Sequence, residues 1–337
     1  MTWFWSADEI ARLGRYLDDR GLCGPAVTAD AVGDGHSNLT YVVTDGARRV
    51  VVRRPPPPPF PAGAHDVVRE ARLVCALAGT AVPVPTVRAV VDAGVVVDVP
   101  MVVTDFVEGV VITEQTPPGL DRPAARLEIA ERAVDTLAEL HAVNWRELGL
   151  ADFGRPEGFN SRHLRRVCAL VADTDGRLPD SFVRLAEWLE RIAPGESGAA
   201  IIHNDYRLGN LMFAPRPPVR VAAVLDWELA TIGDPLFDLG YFLSSIPVAN
   251  EPLTPVSRMG TAALESGFPT REHLLNRYCD RTGADATRIN WHIALAQFKL
   301  AALYEYGRRR AAGAGDAYFA DSGMVSSFLS CGEAQMD

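Results

Sequence analysis

Lysine is almost missing from this chain. Of its 33 basic residues only Lys299 is a lysine, and the others are arginine. A task that calls for a cation anywhere else must fall to a guanidinium, a planar fork that meets carboxylate and phosphate differently from an ammonium. Cysteine is also scarce. Cys23, Cys75, Cys168, Cys279 and Cys331 are scattered, with no C-x-x-C pair, which argues against a disulfide framework or a zinc site and fits a reducing, cytoplasmic setting. Long apolar runs are lacking too. The most apolar stretch, 87–103, is broken by Arg88, Asp92 and Asp98 and reads as two strands, not a membrane span. The start, Met1 to Glu9, is aromatic and acidic, without the basic opening of a secretory signal. With a net charge of −10 and no basic cluster beyond Arg308–Arg310, nucleic acid is not an expected partner.

What is present describes an ordinary globular chain of 337 residues, 48% hydrophobic and 23% charged. That length is natural for two lobes. The first third is rich in strands. A helix is expected from Ser6 to Arg20, with Ile10, Leu13 and Leu17 on one face, Ser6 as N-cap and Glu9 closing a capping box. Leu39–Val43 and Val50–Arg53 read as a hairpin turning at Asp45 and Gly46. Pro55 to Pro59 form a stiff spacer. A helix over Asp66–Leu77 and strands near Val87–Val91 and Met101–Thr104 complete the lobe. Residues 105–109 read as a hinge. The remainder, 110–337, is mostly helical, with periodic segments at Arg122–His141, Ser161–Ala172, Asp180–Ile192 and Thr270–Arg310. The expected architecture is α+β and bilobal, with a small antiparallel sheet in residues 1–104 and a larger helical lobe after the hinge.

The most informative stretch is Ile201 to Asn210, followed by Val224 to Glu228. It sets an aspartate at Asp205, an asparagine five residues on at Asn210, and a second aspartate sixteen residues further at Asp226. Phosphoryl transfer needs these parts: one carboxylate to orient the attacking hydroxyl, and an amide and a carboxylate to hold Mg²⁺ on nucleotide phosphates. Carboxylate and amide oxygens are hard donors that suit Mg²⁺ better than thiolate or imidazole.

His203, Asp205 and Asn210, then Asp226-Trp227-Glu228, then Gly233-Asp234-Pro235 with Asp238 and Leu239, resemble the aminoglycoside phosphotransferase family of the kinase-like superfamily. The Tyr-Arg-Leu-Gly-Asn form of the loop, with Arg-Arg-Pro-Pro earlier, most resembles phosphotransferase-like domains related to those fused to acyl-CoA dehydrogenases. The resemblance runs from about Val32 to about Arg310. It implies a protein-kinase-like fold with nucleotide bound between the lobes, and a Mg²⁺-dependent transfer from ATP or GTP to a small-molecule hydroxyl.

Roles follow from that resemblance, residue by residue. Asp205 orients and finally deprotonates the acceptor, while Asn210 and Asp226 hold Mg²⁺. Arg207, two residues after the base, is the expected cation for the transferring phosphate; the alternative is an arginine engaged near Glu108 or Glu228. The loop with Gly33, Gly35, Ser37 and Asn38 is expected to cover the phosphates through its backbone N–H groups. Arg53 stands where kinases carry a third-strand lysine, with Glu70 as its partner and Asp66 as second choice; the alternative is a pair of exposed strand-end arginines, Arg53 and Arg54. Met101 to Phe106, including Thr104, would lay main-chain groups along the base. His203 reads as structural, and Asp238 as a support beneath the loop. Asp234 reads as a turn residue or as the edge of a substrate pocket.

The acceptor is less determined. Tyr304, Tyr306 and Arg308–Arg310 near a helix end would suit an apolar body with an anionic end, a hydroxylated acid or its thioester. The acids Glu265, Glu272, Asp280, Asp285 and Glu305 are spread out rather than gathered as an aminoglycoside would require. The competing reading is a nucleotide-binding pseudoenzyme, whose support is Arg53 in place of lysine. A protein kinase is disfavoured, because Asp226-Trp227-Glu228 replaces Asp-Phe-Gly and no Ala-Pro-Glu segment follows.

Overall fold

A computed structural model describes residues 5–33, 38–56, 65–311 and 321–336. Its elements fall into two compact units, Met1–Glu108 with Ala222–Glu228, and Gly109–Val221 with Leu229–Asp337.

The first unit opens with α1 (Ala7–Asp18), which starts at the expected capping box: the Ser6 side chain accepts from Glu9 N, and the Glu9 carboxylate accepts from Ser6 N. The strands β1 (Thr28–Val32), β2 (Leu39–Thr44) and β3 (Arg49–Arg54) form an antiparallel meander. After α2 (Val67–Leu77), the strands β4 (Val87–Val91) and β5 (Met101–Asp105) complete a sheet in the order β1-β2-β3-β5-β4. Alternation decides which side chains are covered. In β2, Leu39, Tyr41 and Val43 face the core; in β3, Val50, Val52 and Arg54 do. Arg54 is therefore no exposed strand end. Its guanidinium lies 4.7 Å from the Trp5 ring and 5.7 Å from that of Tyr41, so cation–π contact stands in for lost hydration. Asp66 is the N-cap of α2, accepting from Arg69 N. Of the expected proline spacer, Pro57 to Pro59 lie outside the described residues.

The second unit begins with β6 (Val110–Val111), α3 (Pro123–His141), α4 (Phe159–Val171) and α5 (Asp180–Arg191). Three short strands follow: β7 (Ala200–Ile202), β8 (Leu211–Phe213), and β9 (Val221–Val224), most of which belongs with the first unit. Then come β10 (Thr231–Gly233), α6 (Pro235–Ser245), α7 (Pro255–Arg258), α8 (Arg271–Thr282), α9 (Ile289–Ala311) and α10 (Ser322–Glu333). The strands β7 and β10 pair antiparallel, and they bracket the segment that carries Asp205, Asn210 and Asp226.

Helix α6 organises this unit. Every residue from Leu236 to Ser245 is buried. It crosses α9 at Gly240, where a β-carbon would come within 2.8 Å of His292 backbone carbon; only glycine allows that approach. Its N-cap is Asp234, fully buried, which accepts from Leu236 N, from Asn160 Nδ2 at 2.9 Å, and from Ser197 Oγ, with His292 Nε2 at 3.2 Å. Asp234 is thus a cap and not a pocket edge. Burial pushes its carboxyl up, but the hydrogen bonds from His292, Ser197 and Asn160 outweigh that and hold it at about 2, below its ordinary 3.8. A depressed acid contributes stability above its unfolded value and loses it as pH falls through the folded one. Asp234→Ala should cost about 3 kcal/mol at neutral pH, because it strands several buried donors. Urea titration should show that deficit narrowing as the pH falls from about 4 towards 2.

Candidate active site

In the first unit three carboxylates surround one guanidinium. Arg53, near the end of β3, places Nη1 3.3 Å from Glu70 Oε1, and Nη2 2.5 Å from Asp226 Oδ1 and 3.5 Å from Glu228 Oε2. Glu70 lies in the first turn of α2 and also accepts from Trp227 N at 3.3 Å. The indole of Trp227 is buried and donates to Val224 O, which pins the segment holding Asp226. Asp226 itself has φ +66°, a left-handed backbone that costs a non-glycine residue about 1 kcal/mol. Such strain is characteristic of functional turns. Burial drives the Glu70 carboxyl up to about 7, the nearby charges of Asp226 and Glu228 push the same way, and Arg53 opposes them. Attraction to these three acids keeps Arg53 charged despite its burial.

Other nucleotide-side residues are placed as follows. Gly33 adopts φ +87°; Gly35 and Ser37 lie outside the described residues. Asn38 is buried and donates to Glu228 Oε2 at 3.3 Å. Thr104 pairs with Val51 in the sheet, and the Phe106 ring lies 4.1 Å from the Arg49 guanidinium carbon. Glu108 pairs with Arg49 at 2.7 Å.

In the second unit the loop after β7 is held from several sides. His203 N and Asn204 N donate to the two oxygens of buried Asp238, at 2.5 and 2.7 Å. His203 is wholly buried, with its Nδ1 3.3 Å from Asp205 N, in keeping with a structural role. Asn204 has φ +69° and donates from Nδ2 to Leu229 O. Tyr206 plugs the core beneath, its hydroxyl donating to Ala133 O at 2.7 Å.

Both oxygens of Asp205 are engaged. Tyr241 donates its hydroxyl to Oδ1 at 2.5 Å, and Asn210 donates from Nδ2 to Oδ2 at 2.8 Å. The same Asn210 nitrogen reaches Asp205 O at 2.8 Å, which leaves the amide carbonyl oxygen as a donor to a cation. Burial and the neighbouring Asp205 charge raise the Tyr241 phenol well above its ordinary value, so the ring stays protonated and donating. Arg207 Nε stands 3.6 Å from Oδ1 of Asp205, the candidate base.

Two participants escaped the sequence reading. Tyr241 follows Asp238 by three residues, so one turn of α6 puts both on the face that meets the loop; that spacing was the available signal. Lys299 stood out by composition alone, yet its Nζ donates to Asn204 O at 2.5 Å and Asn204 Oδ1 at 2.9 Å.

An antiparallel sheet ahead of a helical part, with a loop of this composition, defines the kinase-like phosphotransferase fold. The chain belongs to the phosphotransferase enzyme family (APH), whose model matches residues 28–274. It is 33% identical over 272 residues to human acyl-CoA dehydrogenase family member 11, covering 80% of this chain and 34% of that protein. It is 29% identical over 278 residues to mouse acyl-CoA dehydrogenase family member 10, covering 80% of this chain and 25% of that protein. The chain therefore spans about a third of the length of such curated relatives, or less. Among solved structures, a provisionally assigned aminoglycoside phosphotransferase of Ralstonia eutropha JMP134 matches with a TM-score of 0.76 and 29% identity, over 96% of this chain and 98% of the other. A thermostable variant of aminoglycoside phosphotransferase APH(4)-Ia, in complex with AMP-PNP and hygromycin B, matches with a TM-score of 0.59 and 15% identity, over 95% and 98% of the two chains. The latter likeness is one of fold.

Proposed function

We propose that this chain transfers the γ-phosphoryl group of ATP or GTP, with Mg²⁺, to a hydroxyl of a small molecule. The observation that carries the reading is the state of Asp205. A carboxylate fixed at one oxygen by Tyr241 and at the other by Asn210 is directed before substrate arrives. Its task is to receive the acceptor hydroxyl in line with the phosphorus; the proton leaves late in a loose transition state, so placement matters more than basicity. Arg207, beside it, is the cation for the transferring phosphoryl group. On the nucleotide side, Arg53 takes the lysine's role with Glu70 as partner; Gly33, Gly35, Ser37 and Asn38 form the phosphate loop, and Thr104 and Phe106 flank the base.

The donor set fits Mg²⁺. Among the described residues no three His, Cys, Asp or Glu side chains form a metal cage. Mg²⁺ on nucleotide phosphates needs only one or two protein oxygens and keeps its waters. Asp226, about a third exposed beside two further acids, and the carbonyl oxygen of Asn210 are those oxygens. When bound, the ion would neutralise charge on the phosphates.

A hydroxylated acid or its thioester ranks above an aminoglycoside as acceptor. Glu265 is paired with Arg126 at 2.7 Å, and Glu305 with both Arg308 and Arg309 at 2.8 Å. Acids neutralised in this way offer little to a polycation. The same pairing ties down two of the three arginines at the end of α9, leaving Arg310, which donates to the Tyr306 hydroxyl, to meet an anionic end. Among the described residues no helix is long and apolar enough to cross a membrane, and a cytoplasmic setting is the proposed one.

Calorimetric titration with ATP and GTP, with and without Mg²⁺, tests the reading. Binding that strengthens at least about tenfold with Mg²⁺ is expected. No binding of either nucleotide would point to a module that works through protein partners instead.

A further inference from the structure

Lys299 is the chain's one lysine, and it is buried in the middle of α9. An ammonium is unfavourable there unless its charge and donors are met. They are met at one place. Nζ donates to the carbonyl oxygen and to Oδ1 of Asn204, and lies 5.4 Å from the ring centre of Phe237 and 5.1 Å from that of Tyr241. Asn204 holds a left-handed backbone immediately before Asp205, and Tyr241 is the ring whose hydroxyl binds Asp205 Oδ1. Lys299 therefore holds the residue before that carboxylate and lies against the ring whose hydroxyl binds it. Where arginine fills every other basic position, this one keeps a compact head with three rotatable donors, two of which converge on a single residue. A guanidinium spreads its donors over a rigid plane and does not reproduce a compact ammonium. An apolar side chain would fill the space without the burial penalty, so the retained charge points to a role beyond packing.

We propose that Lys299 is a positioning residue for phosphoryl transfer: seated under the Asn204 turn and against the Tyr241 ring, it fixes the direction in which Asp205 presents its carboxylate to the acceptor hydroxyl. This rests on the transfer reaction proposed above. The groups facing the ammonium are Asp205 on the loop, Asp238 and Tyr241 on α6, and His163 on α4, with Tyr304 on its own helix close to Tyr241. Burial keeps His163 neutral and lowers the ammonium to about 8, against the pull of Asp205 and Asp238. The tether is therefore complete below that pH and lost above it.

The test uses the full chain and Mg²⁺–ATP or Mg²⁺–GTP, with water as the acceptor, over roughly pH 6 to 10. Lys299→Met is expected to lower kcat about 30-fold while the nucleotide KM stays within about twofold, and Lys299→Arg should not restore it. In the wild type, kcat should fall as pH rises through about 8, and that alkaline limb should vanish in Lys299→Met. Unchanged kcat in a folded Lys299→Met protein, or a parallel loss of kcat and affinity, overturns the inference and leaves the nucleotide reaction standing. Should Lys299→Met not fold, Tyr241→Phe decides: about a tenfold fall in kcat with KM retained supports the positioning pair, and no change overturns it. A readout free of turnover is also at hand, because ζ-¹⁵N-lysine labels one side chain. Its ammonium signal should titrate near 8 and move lower in Asp205→Asn, which removes an anion that favours the charged form; a midpoint at the ordinary lysine value overturns the tether. A wild type that binds no nucleotide overturns the transfer reaction itself, and this inference with it.

Discussion

Asp205→Ala should reduce phosphoryl transfer by about 10³-fold or more and leave nucleotide affinity within about twofold. The two halves of that expectation have separate causes. The Asp205 carboxylate is the group that the loop, Tyr241 and Asn210 hold in place, so its loss removes the acceptor's orientation, an effect confined to the chemical step. Nucleotide affinity is assigned to Arg53, Glu70 and Asp226, whose mutual contacts do not pass through Asp205. A 10³-fold loss corresponds to about 4 kcal/mol of transition-state stabilisation, a large share of what positioning supplies. Stopped-time assays of phosphate release, alongside calorimetry on the same preparation, read both halves. Transfer at the wild-type rate would remove Asp205 from the mechanism. A parallel collapse of affinity would mean that the loop itself had unfolded, and Asp205→Asn, which keeps the shape and one of the two accepting oxygens, would separate the two.

A different signature belongs to Asp226→Asn. The substitution keeps the side-chain volume, and Arg53 retains Glu70 and Glu228 as partners, so the first unit should fold. What disappears is a charged oxygen suited to Mg²⁺. The variant should bind ATP or GTP with nearly the same affinity in Mg²⁺ as in chelator, and transfer should fall about 10³-fold. Wild-type binding should separate the two conditions clearly. Mg²⁺ dependence that survives in the variant would move the cation to other ligands, Glu228 first among them. The comparison belongs on the alkaline side of neutrality: Glu70, raised to about 7 by burial and by its acidic neighbours, gains a proton at and below that value, and the balance of charge around Arg53 then changes for another reason.

Much of this arrangement was legible in the chain because the relevant signals are local. The Ser6–Glu9 capping box, the alternation in β2 and β3, and the Asp205–Asn210 spacing each lie within a few residues, and each appears where expected. The contact of Arg53 with Glu70 was also expected, from the resemblance to kinases, whose third-strand cation pairs with a helix glutamate. What escaped was set at a distance. Arg54 was weighed as exposed, yet Trp5 and Tyr41 cover it, and nothing near Arg54 in sequence reports that. Helix α6 is buried on every face and so shows no apolar stripe for periodicity to find. Tyr241 and Lys299 reach the loop from residues far along the chain, so their roles depend on packing that no short window contains.

Helix α6 carries three devices in succession: the buried cap at Asp234, the support at Asp238 and the phenol at Tyr241. Much of the order of the Asp205 loop therefore comes from this one helix. During refolding, catalytic competence should return with α6 docking on α9 and not with the sheet of the first unit, even if that sheet forms earlier. In the native protein, the rare openings that expose the amides of α6 to exchange should be the same events that silence the enzyme. Drift in the surrounding helices, where an acceptor would be chosen, can proceed freely only while this one rod stays seated.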